Sequence, residues 1–471
     1  MGRRNFLRSI FIFICAFIFG FRVKKEYIDM SVETTKIDTA ATNLLEYEEY
    51  RTVKEGSWDW SIALENAVLD TPVGGTLIIP DGIFEVERFI PKSGIVISGD
   101  GIIKRTANSS NNSILCIRDV SDLVIENITI DANDQHIPYT ESTVSKRNCI
   151  ALEGSAYNVT IKNVKLKNAG RDGIYIGEAK SGDGQYPENC TITNIEIDNA
   201  TRNGISVVCG EFINIENPKI TNYGLCGIDI EPNPLSTLNR NISVYRGTII
   251  ANSKAKSIPL QCTIGSAKED KDKFSNITFY GVTIIGNGNP KASTVRNHKF
   301  DNVLIINNYI HNYVTGILAK GQSFIKGNKL SRPSTNVANG TKGAILVYGD
   351  TTVSSNIVNG AGYSGIVVIN GNNSIITHNQ VYDVGKVDNG YGIYTYGSES
   401  SIIVKNHCVD LQVVKTMECG IWIRLNENKG VKNIVRENIS VGAKYSAFRI
   451  ESPELQFKVS GNSTAFKNNI N

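Results

Sequence analysis

GIDIE (227–231) is the phrase that decides the architecture of this chain. A glycine opens it, isoleucines fill every second position after that, and acids stand between and after them. Alternation with a period of two marks a strand with one buried face. The phrase returns as GIYIGE at 173, GISVV at 204, GILAK at 316, GIVVI at 365, GIYTY at 392 and GIWIR at 420, and with alanine in the opening place as AILVY at 344 and AFRIE at 447. Where the series is unbroken its openings lie 31, 23, 28, 21, 27, 28 and 27 residues apart. Between them stand pairs of short β-branched runs split by a polar turn, as in DLVIENITI (122–130), NVTIKNVKL (158–166) and NITFYGVTII (276–285). Periods of this size mean stacked coils, here of three strands and three turns each. A propeller blade would need a longer period, and the fixed Leu/Asn frame of a leucine-rich repeat is absent.

Upstream of the repeats, WDWSIALENAVL (58–69) has helical periodicity, with Ile62, Ala63, Val68 and Leu69 among its apolar positions and Ser57 or Asp59 as N-cap. A helix there would cover the first coil and block edge pairing. The order helix, GGTLIIPDGIFEV (74–86), GIVISGDG (94–101) resembles the opening of the pectate-lyase-like superfamily, and the Gly-Ile-x-Ile strands resemble the right-handed β-helix repeat. The resemblance spans roughly 55–465. It implies an all-β, single-stranded, right-handed parallel β-helix solenoid with an N-terminal capping helix, and a polysaccharide as partner. It implies no particular reaction, because the superfamily holds lyases, glycosidases, epimerases and phage tailspikes. The Asn-Thr-Asp, Asp-Asp, Gly-His-Gly and Arg-Ile-Lys set of polygalacturonases, the Arg-x-Pro-x-x-Arg of pectate lyases and the Asp-Pro-His of alginate epimerases are all missing.

The bulk numbers agree with a solenoid. At 471 residues the chain exceeds the usual single compact domain, which a repeat protein escapes because each coil needs only its neighbours. The 49 basic and 46 acidic residues give a net charge of +3, which makes no case for nucleic acid. Nine cysteines are scattered without metal-ligand spacing and suit small buried positions. Residues 1–25 combine Arg3, Arg4 and Arg8 with the apolar run Ile10–Phe21, an export signal of twin-arginine type or, if uncleaved, a membrane anchor. Residues 26–54 are expected to be a polar linker and 55–471 the β-helix, in a secreted or cell-surface protein.

Strand alternation also selects a site. With Ile228 and Ile230 inward, Asp229 and Glu231 point outward with Cα atoms about 6.5–7 Å apart. Such a pair suits an inverting glycosidase, whose carboxyls stand roughly 6.5–9.5 Å apart. With Asp172 it equally suits a Ca2+ site. Stacking places Ser206 one coil below Asp229 and Tyr175 two below. Arg171, Asp172 and Arg202 precede their strands at one edge, and Lys256, Arg296 and His298 follow on later coils. The catalytic candidates are therefore Asp229, Glu231, Asp172, Arg171, Tyr175 and Arg296; Arg202, Ser206, Lys256 and His298 would bind substrate. Solvent-facing strands also need polar residues, so ordinary solvated acids are the competing account. A second outward patch, Tyr394, Tyr396, Trp422, Arg424, Arg449 and Glu451, stacks on successive C-terminal coils, with Trp422 seven coils from Asp229, about 34 Å. It suits distal sugars, an oligomer contact or plain aromatic stacking. The long loops 179–189 and 232–241 would wall a groove. The preferred reading is a lyase on a uronate-containing polymer; the alternatives are a glycoside hydrolase using Asp229 and Glu231, or a non-catalytic, glycan-binding or phage-derived solenoid.

Overall fold

The left-handed turn residues explain why the chain coils. Asn127, Asn163, Asn194 and Asn217 stand at φ 65°, 54°, 52° and 48°, a region asparagine enters more readily than other side chains. Each ends a strand of one sheet and starts the next. Their amides form a column: Asn163 Nδ2 donates to Asn127 Oδ1 at 3.2 Å, Asn194 to Asn163 at 3.0 Å and Asn217 to Asn194 at 2.9 Å. In a computed structural model the described residues are 40–464 apart from 55, 107–112, 135–146, 181, 253–257, 266–269, 289–292, 332, 334–342, 388–389, 399, 425–432, 452–457 and 461.

Among the described residues three long parallel ladders result. The first has 16 strands, from Ala41–Asn43 to Lys458–Ser460. The second runs through Thr129–Asp131, Lys165–Ala169 and Glu196–Ala200. The third has 13 strands, from Leu115–Arg118 to Ser446–Glu451, and contains every Gly-Ile phrase. Inward isoleucines, leucines and valines of all three make one continuous core. The opening glycine is needed for stacking: a Cβ on Gly204 would lie 2.5 Å from the carbonyl oxygen of Gly227 one rung on. The eight cysteines among the described residues are buried and free.

From Asn308 onward the turn between the first two ladders holds a second asparagine column, this one inside. Asn308, Asn328, Asn356, Asn379, Asn406 and Asn438 are all 0% exposed. Asn356 Nδ2 donates to Ile325 O and Asn379 Oδ1, both at 3.0 Å, while Asn356 Oδ1 accepts from Asn328 N at 3.0 Å and Asn328 Nδ2 at 2.9 Å. Each amide replaces the water its turn would otherwise need.

Two sequence expectations are corrected here. The body begins at Ala41, not at 55: Ala41–Asn43 pairs with Thr76–Ile78, and a 3-10 helix, Leu44–Tyr50, follows. The reason is local, since Leu44 is fully buried and Asn43 caps the helix by accepting from Leu45 N at 3.0 Å. The capping helix is Ser61–Asp70, and its buried residues are Ala63, Leu64, Ala67 and Val68, while Ile62 and Leu69 are exposed. An i, i+3, i+4, i+7 stripe beginning at Trp60 accounts for the shift. Asp59 Oδ1 accepts from Ser61 N at 2.9 Å. The expected export signal and the linker up to residue 39 lie outside the described residues.

Candidate functional site

The third ladder fixes the register that sequence alone left open. Tyr175, Ser206, Asp229, Gln261 and Arg296 occupy one outward column on successive rungs. The neighbouring column carries Arg118, Glu153 and Gly177 on one side of Glu231 and Thr263 and His298 on the other. Arg296 and His298 thus stand two rungs beyond Asp229 and Glu231, both half-buried. Lys256 lies outside the described residues. The strand after it is Leu260–Thr263, which brings Gln261 onto Asp229.

Beside these columns is a cleft of ≈ 370 Å³ lined by Arg88, Arg118, Arg171 and Arg202, by Glu153, Glu178 and Glu231, and by Tyr175. Two of the glutamates are committed. Glu153 pairs with Arg118 at 2.5 Å. Glu178 clasps the two long loops: its Oε2 accepts from Gly182 N at 2.7 Å and its Oε1 from Thr237 N at 3.1 Å. Among the described residues no hydrogen bond or ion pair engages the Glu231 carboxylate. Arg88 Nε and Arg171 Nε have no hydrogen-bond acceptor there either. Tyr175 folds its ring over Gly177, where a Cβ would lie 2.8 Å from the phenol oxygen.

Three candidates expected to face the polymer are buried instead. Asp172 is 0% exposed: its Oδ1 accepts from Asn203 N at 3.0 Å, and Arg202 and Arg171 approach its Oδ2 at 3.4 and 3.7 Å. It repeats, with charge, the turn amides of Asn148 and Asn203, which accept from Asp172 N and Cys226 N, each at 3.0 Å. Ser206 accepts from Asn203 Nδ2 at 2.9 Å. Asp229 points away from the core, as the alternation requires, yet is 2% exposed, because Gln261 Nε2 and Asn203 Nδ2 cover it at 2.8 and 3.2 Å. Asp172 therefore meets Arg171 and Arg202 behind the cleft wall, and Asp229 lies covered beneath Gln261 and Asn203.

The proton affinity of Asp229 is unusual. Burial first, then the Glu231 charge, push Asp229 up to about 7, against the pull of Gln261 and Arg202. Glu231 is raised by burial and restrained by Arg202 and Arg296. Burial and the neighbouring Glu231 charge therefore both favour the protonated form of Asp229. Tyr175 is pushed up to about 12 by burial and by Glu153, so it stays a phenol. The Ca2+ expectation does not fit this donor set. Asp172 and Asp229 are spent on Arg202, Asn203 and Gln261, and no group of three or more His, Cys, Asp or Glu among the described residues could hold a metal ion.

A family model for the right-handed β-helix region matches residues 140–335 and 301–471. The chain belongs to the right-handed β-helix family. Among solved structures it is similar to the catalytic unit of an α-1,3-glucanase from Streptomyces thermodiastaticus, with 12% identity, 91% of this chain and 70% of that one covered, and a TM-score of 0.51. It is also similar to pre-mature gene product 12 of bacteriophage phi29, with 14% identity, 90% and 55% covered, and a TM-score of 0.52. The A-module of a mannuronan C-5 epimerase from Azotobacter vinelandii aligns at 14% identity over 90% of this chain and 99% of that one, with a TM-score of 0.45. These identities speak for the fold alone. No curated protein matches the chain.

As a β-helix protein the chain has a site richer than its Gly-Ile phrases announce. Arg118 and Glu153 belong to LCIR (115–118) and IALE (150–153), the same strand without its glycine, and could have been placed by register. Arg88 could not, since it precedes the repeats. Tyr394, six rungs from Asp229, and Trp422 and Arg424, seven rungs from it as expected, share the ladder face with the cleft and do not line it.

Proposed function

We propose that this protein degrades an anionic, uronate-containing polysaccharide by β-elimination in the cleft beside Glu231. Charge carries this reading: four arginines line the cleft, and Arg118 pairs with Glu153 there. Guanidinium forks match carboxylates, so Arg88, Arg171 and Arg202 would grip the uronate carboxylate and drain charge from it. That acidifies the adjacent C5–H. Glu231 takes the proton as the C5–H bond breaks, the electron pair forms the C4=C5 bond, and the C4–O bond opens toward the next sugar. The Tyr175 hydroxyl gives its proton to the departing oxygen. Water then carries the proton from Glu231 back to the phenolate.

A hydrolytic reading draws on the closeness of the two carboxyls, since the Glu231 charge helps to raise Asp229. The burial of Asp229 counts against its touching a glycosidic oxygen. Incubation with polygalacturonate and alginate separates the two. Elimination raises ultraviolet absorbance from the unsaturated product, survives chelator, and falls at least about 100-fold in Glu231→Gln. Reducing ends without absorbance would favour hydrolysis. Neither product from any polyuronate would overturn both and leave a glycan-binding solenoid. Export by residues 1–25 belongs to the same proposal, and a reporter fused behind them should leave the cytoplasm.

A further inference from the structure

Seven rungs beyond Glu231 the same ladder face changes character. The Tyr391 and Trp422 ring centroids are 4.6 Å apart, Tyr394 and Trp422 4.9 Å, and Tyr391 and Tyr394 5.4 Å. The Arg449 guanidinium lies 4.7 Å from the Trp422 ring centre, and that of Arg424 5.7 Å from Tyr396. The rings are half-buried, and both arginines are exposed. The two arginines share Glu451, at 3.5 Å from Arg424 and 2.5 Å from Arg449, and a second acid, Glu418, hydrogen-bonds Tyr391 at the edge of the cluster.

We propose that this cluster is a second glycan-binding site, which holds a distal stretch of the same anionic chain while the cleft holds its reacting bond. It rests on the proposed function only for the identity of the polymer. Ring faces take the C–H faces of sugars, and arginines take their carboxylates. The path between the two sites supports one chain rather than two ligands. Beyond Glu231, its column carries Thr263, His298, Lys320, Tyr348, Ile369, Tyr396 and Arg424, with no acid until Glu451. Lys320 already lies 5.3 Å from the Tyr348 ring centre. Rungs repeat every ~4.8 Å, close to the rise of one sugar in an extended polymer, so a chain of roughly eight sugars bridges the sites. Bridging makes the second contact intramolecular and strengthens binding of long chains alone.

The test compares wild type, Trp422→Ala and Arg424→Glu, each checked by circular dichroism. Arg424 is exposed, so its variant keeps the fold even if loss of Trp422 does not. Migration through gels containing polygalacturonate or alginate measures binding without turnover. KM and kcat are measured on uronate tetramers and dodecamers. The expected result is about tenfold weaker binding of polymer and dodecamer in both variants, with kcat and the tetramer KM unchanged. Equal retardation of all three proteins, or a KM shift as large on tetramers, overturns the proposal. So does loss of a concentration-dependent dimer in Trp422→Ala without loss of polymer binding, which would make the cluster a contact between copies. Trp422-dependent retardation without any product would sink the proposed reaction and keep this site; turnover with unaltered retardation would do the reverse.

Discussion

Replacing Asp229 with asparagine should stabilise the protein at high pH and leave it little changed in acid. The folded-state pKa of Asp229 lies near 7, against 3.8 for an ordinary aspartate. Between those values the folded protein binds more protons than the unfolded chain, so stability falls as pH rises through this window. The penalty is absent below pH 3.8 and complete above 7. Three units correspond to about 4 kcal/mol, and coupling to Glu231 lowers the expected effect to about 2–4 kcal/mol. In Asp229→Asn the new amide would turn toward one of the donors Gln261 and Asn203. Gln261 can rotate its own amide to compensate, exchanging its present contact with Thr263, 3.3 Å away. Any residual mismatch costs the same at every pH, so the change between pH 5 and pH 8 isolates the charge. A solenoid need not unfold in one step, so the measurement should be local. Hydrogen exchange of a peptide spanning 226–231 should slow at least about tenfold more, relative to wild type, at pH 8 than at pH 5, after correction for intrinsic rates, since about two thirds of the window lies between them. An equal ratio at the two pH values would refute the reasoning and return Asp229 to an ordinary, solvated acid.

Other perturbations test the frame around the site. Gly177→Ala puts a methyl group 2.8 Å from the Tyr175 hydroxyl, so turnover should fall at least about tenfold while the thermal midpoint barely moves. Glu178→Ala removes the acceptor shared by Gly182 and Thr237; exchange in both loops 179–189 and 232–241 should accelerate together, with a higher KM. Asn356→Leu takes the side-chain partner from Asn328 N and Ile325 O in the interior, while Asn328 Nδ2 keeps Ile305 O and Asn379 Oδ1 keeps Asn356 N; the loss should be about 2–4 kcal/mol at one to a few kcal/mol per group, seen as a lower denaturant midpoint.

Much of the site is legible in the sequence, and the part that is not has one cause. Alternation within GIDIE assigns inside and outside, and repetition assigns neighbours, so Tyr175, Ser206 and Asp229 fall on one column from the letters alone. The letters do not say what covers an outward side chain. Asp229 is sealed by a glutamine one rung on and an asparagine from the turn before Ser206, and those contacts depend on how coils of unequal length are staggered. Asp172 reads as an acid at a turn; its burial beneath two arginines comes from the same stagger. The helix boundary moved for a comparable reason, since the face that mattered was the one packed on Leu44 and its neighbours.

The sequence by itself therefore determined the coil, its period, the ladder that carries the chemistry and the rung at which acids, tyrosine and arginines meet. Those follow from local rules: a period of two for strands, asparagine and glycine for left-handed turns, and nearest-neighbour stacking. The tertiary structure alone decided which of the acids is open to a polymer. Solvation and proton affinity are sums over everything within a few ångströms, and in a solenoid most of that comes from coils 20 to 35 residues away. Glu231 stays at the cleft, Asp229 withdraws behind it, and the arginines that would receive the substrate's charge stand beside them.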